Sequence, residues 1–81
     1  MDQPASSTLG DFLAERRFPF DAAAILAEVD TSTVSRIVGG QVRARPTTIV
    51  RLARGLGVSA RRMERMCQAS WDAAHTMGAS R

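Results

Sequence analysis

Lysine and tyrosine are both missing from this chain of 81 residues, and all eleven basic residues are arginine. GC-rich codon usage accounts for that replacement, so it does not by itself point to a nucleic-acid partner. Cysteine occurs once, at Cys67, which rules out an internal disulfide. The residue reads as a small buried hydrophobe. His75 is the only histidine and has no cysteine near it at ligand spacing, so no zinc site is expected and no cofactor is implied. Aromatics are limited to Phe12, Phe18, Phe20 and Trp71, so a core must be assembled from Ala, Val, Ile, Leu and Met. The longest uncharged, mainly apolar stretch runs from Ala22 to Ala27, far short of a membrane span. The opening Met1-Asp2-Gln3-Pro4 lacks the basic start and apolar run of a signal peptide, and a cytoplasmic location is expected. Catalytic patterns are missing too. There is no Ser/His/Asp set at usable spacing, no glycine-rich phosphate loop and no His/Cys cluster, so the chain does not read as an enzyme.

What remains is 44% apolar, enough to build the core of one small domain. Charge is unevenly spread. Residues 1–30 hold two arginines against six acids, whereas residues 31–66 hold eight arginines against Glu64 alone. After that, Arg81 balances Asp72. A basic middle suits a polyanionic partner. On charge alone, a solvated basic face without a partner is an equal reading.

The apolar spacing predicts five short helices and no strand. Residues 1–7 are polar and read as a flexible N-terminus. Thr8 and Asp11 have the spacing of a capping box, and Leu9, Phe12 and Leu13 form a stripe at i, i+3, i+4 that Pro19 should end. Asp21 opens a second, alanine-rich helix to about Glu28. Asp30 caps a third over residues 31–39, with Val29 and Val34 as its hydrophobic staple. Its face of Val34, Ile37 and Val38 leaves Ser32, Ser35 and Arg36 pointing away. Gly39-Gly40 ends it, and the loop Gln41 to Arg45 follows. Pro46 suits the first position of a fourth helix, and Gly57 with Val58 suits its end. Ser59 caps a fifth, whose stripe is Met63, Met66, Cys67, Ser70, Ala74 and Met77, with Gly78 as its stop.

Two segments together resemble the phage repressor/Cro-like (XRE-type) helix-turn-helix family. The first holds Ala24, Val29, the run Thr33-Val34-Ser35-Arg36-Ile37 and Gly40; the second is Leu52-Ala53-Arg54-Gly55-Leu56-Gly57-Val58-Ser59. The resemblance covers residues 18–59 directly and about 8–66 with the flanking helices. Three positions depart from the pattern. Glu28 stands where relatives have a turn glycine, Phe20 where a glutamine often opens the second helix, and Ile25-Leu26 where solvent-facing polar residues are usual. A slight rotation of the second helix would bury that apolar pair.

The resemblance implies an all-α, repressor-like domain over residues 8–66, followed by a C-terminal helix extension over 67–81. It implies a third helix in the major groove of double-stranded DNA, with Thr31, Ser32, Ser35 and Arg36 as base contacts. Gln41, Arg43 and Arg45, in the loop that relatives lay along the backbone, become phosphate contacts. A regulator this small commonly acts as a homodimer on an inverted-repeat operator. The fifth helix is longer than the minimal fold needs, so Met66, Ser70, Trp71 and Ala74 are expected to form the dimer contact. An antitoxin-like protein-interaction module on the same fold is the alternative.

Overall fold

The computed structural model describes residues 8–79, with side chains described to His75. The expected flexible segment 1–7 and the side chain of Met77 lie outside the described residues. Five helices follow one another: α1 Leu9–Glu15, α2 Phe20–Ala27, α3 Thr31–Val38, α4 Pro46–Leu56 and α5 Ala60–Ala79. No strand occurs among the described residues.

Local chemistry sets most of the boundaries. At α1 the Thr8 hydroxyl accepts from the Asp11 amide (3.0 Å), and the Asp11 carboxylate accepts from the Thr8 amide (3.3 Å), which completes the capping box. At α5 the Ser59 hydroxyl accepts from the Arg62 amide (3.1 Å). The helix ends share another device, a left-handed residue followed by an amide that bonds to the carbonyl five residues back. Gly40 and Gly57 fill that position for α3 and α4, with Gln41 bonding to the Arg36 carbonyl and Val58 to that of Ala53. Arg17 and Glu28 fill it for α1 and α2 at φ 56° and 60°. Each non-glycine residue there costs about 1–2 kcal/mol. At Glu28 the Arg51 guanidinium donates to the strained residue's own carbonyl (3.2 Å), holding the α2–α3 turn.

The core gathers Leu9, Phe12 and Leu13 of α1, Ala23, Ala24 and Ala27 of α2, Val34 and Ile37 of α3, Leu52, Ala53 and Leu56 of α4, and Met63, Met66 and Cys67 of α5. Each large side chain among them contributes roughly 1.5–3 kcal/mol by burial. Helix α2 contributes only alanines, and this brings its backbone close to α4. A Cβ on Gly55 would lie 2.5 Å from the Leu26 carbonyl oxygen, so no side chain fits there. Gly40 is held against α5 in the same way: a Cβ would fall 2.3 Å from that of Ala74.

Three expectations are corrected here. Ile25 and Leu26 remain 75% and 49% exposed. Helix α2 is not rotated to bury them, because its alanine face is the one α4 approaches. Met66 and Ser70, expected at a dimer contact, are each 3% exposed within the single chain. The Ser70 hydroxyl accepts from the Leu9 amide (3.1 Å), so that side chain is committed to the start of α1. Finally, Gly78 does not stop α5, which continues to Ala79.

Candidate nucleic-acid interface

Helix α3 places Val34 and Ile37 in the core, and this fixes what faces outward. Thr31, Ser32, Ser35 and Arg36 are all exposed. The loop after α3 leaves Gln41, Arg43 and Arg45 exposed as well, while Ala44 between the two arginines packs against the core. That alternation anchors the loop by one small residue and turns its cations outward.

The structure brings three of the expected contact residues together. Arg36, Arg43 and Arg45 line one open cleft of about 350 Å³ with Thr33, Ile37, Val42, Ala44 and Thr48. No acidic residue lines it. Three guanidinium groups around one cleft repel each other, and a phosphate accepted in their forks relieves that repulsion. Thr31, Ser32, Ser35 and Gln41 lie outside the cleft, on the exposed helix face and at the loop's start.

The start of α4, at the cleft, carries further positive potential. Asp30 stands at the N-cap of α3 as expected, but its carboxylate makes no capping hydrogen bond, and α4, whose N-cap is Arg45, has no side-chain cap either. Apart from the Thr33 amide, which bonds to the Asp30 carbonyl (3.0 Å), and Pro46, which has no N–H, their first-turn amides are open to an outside acceptor. Sequence reasoning passed over Thr33 and Thr48, each the third residue of its helix. Pro46 had already placed the start of α4, but only the fold sets that start beside Arg36.

The other arginines divide by what they touch. Arg51 holds the α2 turn, and Arg16 and Arg62 lie over the Phe12 ring at 4.7 and 5.4 Å. Of the expected dimer residues, Trp71 is half-buried and Ala74 exposed. Cys67 is buried, which pushes its thiol up to about 11 and keeps it neutral. Among the described residues no His/Cys/Asp/Glu group is placed to hold a metal, and no helix is long and apolar enough to cross a membrane.

A small helical domain with one polar helix exposed beside an arginine-lined cleft is a nucleic-acid-binding module in form. The family model described as a helix-turn-helix domain matches residues 8–69, and the chain belongs to that family, in its XRE/Cro-like type. Helix-turn-helix domains of this kind bind DNA. Neither the curated proteins nor the solved structures gave a match. Helix α5 crosses residue 66 without a break, and Cys67 and Ser70 beyond it are part of the buried interior.

Proposed function

We propose that the protein is a sequence-specific, double-stranded DNA-binding transcriptional regulator, acting as a repressor. Helix α3 enters the major groove with Thr31, Ser32, Ser35 and Arg36 toward base edges. Gln41, Arg43 and Arg45 take the phosphate backbone. The observation that carries this reading is the convergence of Arg36, Arg43 and Arg45 on one acid-free cleft beside the polar face of α3. One recognition helix reads only a few base pairs, so the regulator works as a homodimer on an inverted repeat, with half-site centres ~10 base pairs apart. The C-terminal segment makes the contact, and Ala74 is the expected member of it that the fold leaves exposed, Trp71 being half-buried under Arg43. Binding-site selection from random duplexes, followed by gel shift at two salt concentrations, tests this. An enriched palindrome supports it, and a pool without enrichment defeats the sequence-specific role.

A second reading draws on Ile25 and Leu26, an apolar pair left in solvent on α2. An antitoxin-like module would use such a surface for a protein partner. Ile25→Ser with Leu26→Ser separates the two. Full repression by that variant in cells supports the regulator, and lost regulation with intact duplex binding supports the interaction module.

A further inference from the structure

Trp71 does more in this fold than end a stripe on α5. The Cζ of Arg43 lies 4.9 Å from the centroid of its ring, inside the range of a cation–π contact. On α5 the indole is fixed by His75, whose ring stacks on it at 3.8 Å with 24° between planes. The His75 Nδ1–H also donates to the Trp71 carbonyl (2.8 Å). Arg43 and Trp71 share the wall of a cavity of about 200 Å³ beneath the loop, together with Ala44, Cys67, Gln68 and Glu64. Arg43 also lines the arginine cleft. It therefore stands between a ring on the C-terminal helix and the surface assigned to phosphate.

We infer that Trp71 is a positioning residue for the DNA backbone contact, holding the Arg43 guanidinium ready for phosphate; this rests on the DNA-binding reading above. A guanidinium resting over a ring keeps its N–H donors in its own plane, so the contact leaves them open to an anion. A loop arginine free in solvent loses its rotamer freedom when it binds, and one already held loses less. The loop alone offers little restraint, since Gln41, Val42 and Arg43 are all exposed and only Ala44 packs inward. The C-terminal helix thereby sets the affinity of a contact lying 28 residues earlier in the chain, as the numbering of Arg43 and Trp71 shows.

The test is a double-mutant cycle on the full chain, read by anisotropy of a labelled duplex of random sequence over a salt series. The variants are W71A, R43A, the pair together, and W71F. W71A is expected to weaken binding roughly 2- to 30-fold. R43A should weaken it at least as much and lower the salt slope by about 1. The pair should bind no more weakly than R43A alone, and W71F should restore most of the loss. Trp71 is the only tryptophan, so its emission gives a second readout: R43A should change it in the free protein, and duplex should change it in the wild type. Losses that multiply in the double variant overturn the inference. So does an emission spectrum indifferent to R43A. Affinity lost by W71A only in step with self-association, followed by sedimentation, also overturns it. If W71A fails to fold, the W71F comparison and the emission of R43A decide alone. A wild-type chain that binds no duplex overturns the DNA-binding reading, and this inference with it; a wild type that binds, with additive losses, overturns the inference alone.

Discussion

The helices of this domain begin in two different ways. Helices α1 and α5 close their own first turns, one with the Thr8–Asp11 box and the Ser70 hydroxyl, the other with Ser59. Helices α2, α3 and α4 begin with no capping bond from a side chain, their N-caps being Pro19, Asp30 and Arg45. The first pair frames the interior; of the other three, α3 and α4 border the arginine cleft. A first-turn amide must find an acceptor somewhere. Where the chain supplies none of its own, an outside anion is the natural one, and in the proposed complex that anion is phosphate. Stability and binding are thus assigned to different helix starts, and substitutions at the two sets should separate them.

The sharpest test is Arg45→Asp. It gives α4 the capping side chain it lacks and puts a negative charge in the cleft. Thermal stability should rise by about 0.5–2 kcal/mol. Duplex binding should fall on the order of a hundredfold at moderate salt, because a cation is lost and a like charge faces phosphate. A variant that is stabilised yet binds normally would break the comparison. Next in size is Arg36→Ala, which should cost about 1–3 kcal/mol of specific binding and relax preference at one base pair of each half-site. Selection with the variant checks this, and an unchanged preferred sequence would remove Arg36 from the base contacts.

On the other side, Thr8→Ala and Ser59→Ala should each lower stability by about 1 kcal/mol in denaturant unfolding. Their duplex affinity, measured where the chain is fully folded, should match the wild type. The smallest effect concerns Cys67. Its folded thiol titrates near 11 rather than at the ordinary 9.0, because burial disfavours the thiolate. Below pH 9 both folded and unfolded chains hold the proton. Between pH 9 and 11 the unfolded chain loses it first, so stability falls as pH rises through that window. With lysine and tyrosine absent, no other side chain titrates there. Unfolding midpoints at pH 8 and 10.5 should differ in the wild type and coincide in Cys67→Ala.

The parts of this arrangement written in neighbouring residues were legible in the sequence. The Thr8–Asp11 box, Pro46 at the start of α4 and Gly57 at its end depend on contacts a few positions apart. The outward face of α3 followed from the spacing of Val34 and Ile37. What failed depended on distant partners. Ser70 looked free for a second copy because its acceptor role toward Leu9 spans 61 residues. The exposure of Ile25 and Leu26 follows from the close approach of Gly55, which no local pattern announces. The exposure of the proposed contact residues was legible one by one, yet the convergence of the three arginines was not. Thr33, Arg36, Arg45 and Thr48 share a cleft only because the α3–α4 loop folds back.

The central claim is that the cleft beside α3 is a phosphate-binding surface for duplex DNA. The most direct measurement is the affinity of the full chain for its selected duplex across a salt series from about 50 to 200 mM. Each phosphate neutralised contributes about 0.9 to the slope of log affinity against log salt. With Arg36, Arg43 and Arg45 engaged in each copy, the account predicts a steep fall in affinity, and a shallower one in the variant lacking Arg43 and Arg45. Affinity that is flat with salt, or a slope unchanged when both arginines are removed, would contradict it.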